Sequence, residues 1–192
     1  MAGTLTRDDI IDGIHEIITR LRAVGNVATM QIVGGAAIAL TVDADRPATI
    51  DVDGPITPLE VVEAVAAQIA AERGWPLNWV NDKAKIFLPD GMGRSAEWVT
   101  LYERDGIVVQ AASRAMLLAM KLRAVERRGL RDMDDVAVLL AVTGIQTADE
   151  AEGLLNEFFP GEDLSPRTHE RVQTILNAGL PPAPLPSPPD FS

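Results

Sequence analysis

Asp51 and Asp53 stand one residue apart in the segment ATIDVD, shortly after the pair Gly34-Gly35. Read as a strand, this segment puts Ile50 and Val52 on one face and Thr49, Asp51 and Asp53 on the other. Carboxylates at i and i+2 on one strand face lie about 7 Å apart at their Cα atoms, and in water they repel. A divalent cation relieves that repulsion, and hard oxygen ligands suit Mg2+ or Mn2+. Magnesium is commonly held by one or two protein carboxylates together with phosphate oxygens. A glycine turn is then the natural complement, because the backbone N–H groups of Gly34 and Gly35 can approach a phosphate without side-chain obstruction. Taken alone, the same Asp-x-Asp is also what a solvent-facing strand carries by chance.

The elements around these residues follow from periodicity and punctuation. Ile10, Ile14, Ile17, Ile18 and Leu21 recur at helical spacing behind Thr6 and Asp9, a plausible cap. VATMQIVGG reads as a buried strand entering a glycine turn, and AAIAL begins a short helix. TPLEVVEAVAAQIAAERG carries a capping box (Thr57, Glu60), a proline at its first helical position (Pro58) and a closing Gly74. WVTLYERDGIVVQAA predicts a hairpin with Asp105-Gly106 at the turn. Ser113 caps a helix over 114–128, and Arg131-Asp132 opens another through Leu140. Thr147 with Glu150, and SPRTHE, begin two more. The closing LPPAPLPSPPDF predicts a mobile tail. The order points to an α+β core over 1–112, a helical region over 113–178 packed on it, and a Pro-rich tail over 179–192.

Composition narrows the chemistry. The chain has 192 residues, 47% hydrophobic and 23% charged, as expected of an ordinary globular protein. Its net charge of −11 opposes a broad nucleic-acid footprint, so a polyanionic partner needs a local basic patch. With no cysteine, thiolate zinc sites, disulfides and a cysteine nucleophile are excluded. The first residues lack a secretory pattern and no apolar stretch reaches membrane-spanning length, so a cytoplasmic protein without membrane contact is expected.

The sequence of strand, Gly-Gly, short helix and Asp-x-Asp on the next strand resembles the DNA polymerase β-like nucleotidyltransferase superfamily. VGGAAIAL followed by RPATIDVD is similar to its AbiEii-type toxin branch and that branch's small relatives, where Arg, then Ser or Thr, precede Asp-x-Asp; here these are Arg46, Thr49, Asp51 and Asp53. The spacing from Gly35 to Asp51 falls at the long end of the family's range. WPLNWVNDKAKIFLP also resembles the small relatives, although a loop anchored by Trp75 and Trp79, with Asn81 and Asp82 capping a helix, accounts for it without catalysis. SRAMLLAMKLRAVERRGLRDMDDVAVLL is similar to the family's second half, a helix with an embedded lysine followed by Arg-Asp at the next helix.

Lys121 shares a helical face with Leu117, Ala124 and Val125, so it either snorkels outward or points into a site. Arg114, Lys121 and Arg128 are spaced by seven and form one basic stripe, suited to a triphosphate. Asp132 and Asp135 each fit either a helix N-terminus or a partner for Lys121 or a substrate hydroxyl. His15 and His169 lack partner motifs and read as packing or surface residues, and LPDGMGRS, without a Walker ending, reads as a loop.

The resemblance implies an α+β nucleotidyltransferase-like fold, a small mixed sheet flanked by helices with a helical C-terminal region. It implies transfer of a nucleoside monophosphate from an NTP to an acceptor hydroxyl, with release of pyrophosphate. Asp51 and Asp53 would hold Mg2+ or Mn2+, Gly34 and Gly35 the phosphates, and Arg46 and Thr49 would line the nucleotide site. Lys121 would meet the triphosphate charge, assisted by Asp132 or Asp135. In the toxin branch the acceptor is often a tRNA 3′ end, which here would dock through Arg114, Arg123, Arg127, Arg128 and Arg131, and a cognate antitoxin restrains the enzyme. Many relatives carry a third carboxylate on a following strand, where this chain offers Gln110. That difference supports a rival reading, a non-catalytic binding or partner protein; a small-molecule or protein acceptor is a third.

Overall fold

The computed structural model describes residues 3–89, 91–128, 132–182 and 185–191. The chain is mixed α+β and divides into two compact units. One comprises Met1–Ile86, Trp98–Ala112 and Pro186–Ser192, the other Phe87–Glu97 and Ser113–Leu185. Among the described residues no helix is long and apolar enough to cross a membrane.

In the first unit, α1 (Arg7–Ala23) opens at a reciprocal capping box between Thr6 and Asp9 and buries the expected stripe of Ile10, Ile14, Ile17, Ile18 and Leu21. Burying each such side chain contributes about 1.5–3 kcal/mol. β1 (Ala28–Ile32) leads through Val33 into α2 (Gly34–Thr41), whose residues Ala36, Ala37, Ile38, Ala39 and Leu40 are all buried. A helix apolar on every side must be enclosed, and α2 packs against α1, β2 and β6. β2 (Val52–Asp53), β3 (Ile56–Thr57), α3 (Leu59–Arg73), β4 (Val80–Asn81) and a 3-10 helix (Lys83–Phe87) follow. The hairpin of β5 (Trp98–Arg104) and β6 (Ile107–Ala112) turns at Asp105-Gly106, both at positive φ (52° and 77°), as a tight hairpin turn demands.

The strand order is β3-β1-β6-β5, with β1 and β6 parallel and the other pairs antiparallel, while β2 and β4 form a separate parallel pair. Registers tie the two sheets together. Thr29 faces Thr57, Met30 faces Ile56, and Val33 bridges Asp53, so one register runs beside β1 from Asp53 to Thr57. Gly54 lies inside that run at φ 151°, and a Cβ there would meet Gln31 O at 1.9 Å, so only glycine permits this backbone approach. Alternation then puts Val52, Gly54 and Ile56 on one face and Asp51, Asp53 and Thr57 on the other.

The second unit is helical: α4 (Arg114–Arg128), α5 (Met133–Thr143), α6 (Ala148–Phe158) and α7 (Pro166–Ala178). α4 packs on α5 and α6, and α7 on α5 and α6, around Leu117, Leu118, Leu122, Leu139, Leu140, Leu155 and Phe158. Ser113 serves α4 as expected, its Oγ accepting from Met116 N at 3.2 Å and donating to Glu97 Oε2 at 2.8 Å. Thr147 and Ser165 cap α6 and α7 through their side chains.

Three local expectations differ from the structure. The strand at Asp51 is shorter than the alternation predicts: Val52 is 4% exposed, but Ile50 is 53% exposed. Thr49 is drawn away into a two-way backbone bridge with Leu5, at 2.6 and 2.9 Å. The capping box on α3 does not form; Thr57 joins the ladder opposite Thr29, and Pro58 becomes the cap residue after a cis Thr57–Pro58 bond. Gly74 does close α3, at φ 69°. The tail expected to be mobile is held against the first unit over residues 186–191. Phe191 is 3% exposed and Arg7 Nη2 donates to Ser187 O at 3.0 Å. Pro189 is buried beside Phe191, so a proline-rich strap that builds no core of its own is docked through more than one side chain.

Candidate functional site

The carboxylate pair is set by its flanking strand and by a short helical turn. β4 runs parallel to β2 with Val52 opposite Val80 and Asp53 opposite Asn81, through Val52 N–Trp79 O (2.6 Å) and Gly54 N–Asn81 O (3.1 Å). Trp79 fixes β4 from behind: it is fully buried, donates Nε1–H to Ala66 O at 2.9 Å, and meets Trp75 edge-on at 5.1 Å. Gly13 of α1 leaves room for it, since a Cβ there would come within 2.5 Å of the indole. The expected tryptophan anchor is therefore present, and it delivers Asn81 to the carboxylates.

Asn81 is 3% exposed. Its Nδ2 donates to Asp51 Oδ2 at 3.1 Å, and its Oδ1 accepts from Lys83 N at 3.1 Å, so it caps the 3-10 helix as expected while also holding Asp51. Asp53 Oδ1 accepts from Ala84 N at 2.7 Å, in the first turn of the same helix. Burial pushes the Asp53 carboxyl above the usual range, and the charge of Asp51 pushes the same way. Backbone donation from Ala84 and Gly54 and the charge of Lys83 pull it back. Two acids are thus held together, one of them at an energetic cost.

The glycine turn shares this unit. Gly34 takes φ 65° and no side chain caps the start of α2, so its first-turn N–H groups are available to an anion. Arg46 lies directly over the turn: a Cβ on Gly35 would fall 2.9–3.0 Å from its guanidinium. Arg46 donates to Pro47 O at 3.0 Å and, with Thr6 and Arg7, lines a cleft of about 270 Å³. Thr49 is held by its backbone to Leu5.

Gln110 pairs in register with Gln31, accepts from Gln31 Nε2 at 2.9 Å and donates to Thr100 Oγ1 at 3.3 Å. The registers place Gln31 and Gln110 on the same sheet face as Asp53. The position expected to lack a carboxylate is thus filled by a neutral amide tied across three strands.

In the second unit, Lys121 Nζ lies 2.5 Å from Asp132 Oδ1 and 2.7 Å from Asp135 Oδ2, and its side chain is 12% exposed. Both aspartates, left as alternatives in sequence, are its partners. The basic stripe expected along α4 is therefore interrupted at Lys121, whose charge is already met. Arg123 is likewise engaged, paired with Glu162 at 2.6 Å, stacked over Phe159 and donating to Phe87 O. Arg127 reaches Glu162 at 3.5 Å and is half exposed, and Arg114 is exposed. Arg131 and the Arg128 side chain lie outside the described residues. His15 is exposed on α1, and His169 pairs with Asp149 at 2.7 Å.

A divalent ion fits the first unit's donor set on chemical grounds. Each carboxylate offers about four lone-pair sites, and one bond each from Asn81 and Ala84 leaves oxygen capacity on both. Among the described residues no three His, Cys, Asp or Glu side chains gather as a self-sufficient metal cage would require. Two carboxylates alone match an ion that takes its remaining ligands from water and phosphate. Sequence reasoning missed Asn81 and Lys83 as neighbours of the acidic pair; their position depends on a strand pairing across about 30 residues, with only the tryptophan-rich segment as a signal. No protein-family model, curated protein or solved structure matches the chain significantly.

Proposed function

We propose that the chain is a metal-dependent nucleotidyltransferase that moves a nucleoside monophosphate from an NTP to an acceptor hydroxyl. The observation that carries this reading is that Asp51 and Asp53 are held by Asn81 and Ala84, close enough for the charge of one to bear on the other, in the unit that also presents an uncapped glycine turn under Arg46. In this reading Asp51 and Asp53 hold Mg2+ or Mn2+, which when bound neutralises phosphate charge and polarises the bond to be broken. Gly34, Gly35 and Arg46 bind the phosphates, and Thr49 lines the site. Asn81 and Ala84 N orient the two carboxylates so that they present oxygens without reorganising on binding. Lys121, Asp132 and Asp135 supply the second charged cluster that the resemblance assigns to the reaction. A nucleotidyltransferase-like fold and the role of a toxin restrained by an antitoxin belong to the same proposal, as does a tRNA 3′ end as acceptor.

One observation favours a different acceptor. Lys121 and Arg123 spend their charges within their own unit, so the surface left for RNA rests on fewer cations than the sequence offers. A small-molecule or protein hydroxyl needs no such patch. The amide network of Gln110 supports the non-catalytic alternative. Incubation with each labelled NTP, Mg2+, and either tRNA or total protein separates these readings. Label transferred to RNA or protein, and lost in Asp51→Asn and Asp53→Asn, supports the enzyme and names its acceptor; NTP binding without transfer supports the binding protein.

A further inference from the structure

We propose that Lys83 is the ammonium that meets the phosphate chain of a nucleoside triphosphate held at Asp51 and Asp53. The inference rests on the nucleotide reading above and replaces Lys121 in this one role. The chain has three lysines, Lys83, Lys85 and Lys121. Lys121 is clamped between Asp132 and Asp135, and Lys85 pairs with Asp82. Lys83 makes no ion pair among the described residues and is exposed.

Its place is set by backbone. Lys83 N is bonded to Asn81 Oδ1, the side chain that also holds Asp51, and the next residue donates its N–H to Asp53 at 2.7 Å. The Lys83 charge is felt at the Asp53 carboxyl. This lysine therefore belongs to the acidic pair without being neutralised by a salt bridge.

The charge balance asks for such a group. An NTP carries about four negative charges and its divalent ion two positive ones, so the complex arrives anionic at a site that already holds two carboxylates. Arg46 lies over Gly35; a cation on a flexible stem beside the carboxylates lets the pair accept an anion at all. Lysine suits the task as a mobile point charge.

The test is calorimetric titration of the full chain with Mg·ATP, Mg·GTP, Mg·CTP and Mg·UTP. For the nucleotide that wild type binds, Lys83→Ala should weaken affinity roughly ten- to hundredfold, as loss of a charge-assisted contact does. Lys83→Arg should restore most of it, and Lys85→Ala should leave it unchanged. Mn2+ alone should bind Lys83→Ala at least as well as wild type, because a nearby cation has been removed; a merely structural lysine would lose both ligands together. Equal nucleotide affinity in wild type and Lys83→Ala, with binding abolished by Asp53→Asn, overturns the role of Lys83 and leaves the nucleotide reading standing. No binding of any of the four by wild type overturns both.

Discussion

Asp53 Oδ1 accepts the Ala84 N–H at 2.7 Å, so a backbone amide from across the β2–β4 pair holds an acid that burial and Asp51 both disfavour in its charged form. The net effect raises the Asp53 pKa above its ordinary 3.8. A carboxyl raised in the folded state contributes stability below its unfolded pKa and loses it as pH rises through the folded value. Ionised Asp53 therefore costs the fold stability at neutral pH.

Asp53→Asn should accordingly be more thermostable than wild type at pH 7, because the amide oxygen still accepts from Ala84 while the charge is gone. The difference should shrink as pH falls through the raised pKa of Asp53 and vanish below about 4, where wild type is also neutral. Melting temperatures of both proteins from pH 3 to pH 8 check this. A variant less stable than wild type at every pH would mean that the carboxylate is a structural acceptor.

Lys121 carries the opposite expectation. Its helical neighbours Leu117 and Val125 are apolar and buried, which by itself favours an apolar replacement. The pairing with Asp132 and Asp135 reverses that argument. Lys121→Met would leave two largely buried carboxylates, 15% and 11% exposed, without the ammonium that both of them meet. The cost should be about 2–4 kcal/mol, near the lower part of the range for breaking a buried ion pair. Adding Asp132→Asn and Asp135→Asn should recover most of it, and urea denaturation of the single and triple variants measures both. A single variant as stable as wild type would show that the cluster is solvated and weak.

These cases mark what the sequence could convey. α1 was legible because its isoleucines repeat every three to four residues and Thr6 with Asp9 announces the start. The hairpin was legible because Asp-Gly tolerates the two positive φ angles of its turn. The Asp-x-Asp face was legible at Val52 and Asp53 but not at Ile50, because Leu5 claims the backbone of Thr49 from more than 40 residues away. The attachment of Asn81 and Ala84 to the acidic pair depends on β2–β4 pairing, which no local pattern encodes. For Lys121, helical spacing gave the face, but only the α4–α5 packing decides that both aspartates reach it.

The docked C-terminal strap gives the last expectation. Phe191 is 3% exposed, yet the segment around it has no regular secondary structure, and Arg7 donates to Ser187 O to tie it to the rest of its unit. Such a strap can detach while the fold beneath stays intact, as local opening does elsewhere. The cost of Phe191→Ala is therefore capped by the free energy of docking and should fall short of the 3–5 kcal/mol typical of a core Phe→Ala. A chain ending at Leu185 removes the whole docking step, so it should lose at least as much stability as Phe191→Ala. Thermal denaturation of the two variants beside wild type decides the point: a loss on truncation equal to or larger than that of Phe191→Ala supports a detachable strap. A much larger loss in Phe191→Ala than in the truncated chain would mean that Phe191 belongs to the core proper and that its removal leaves a cavity the fold cannot close.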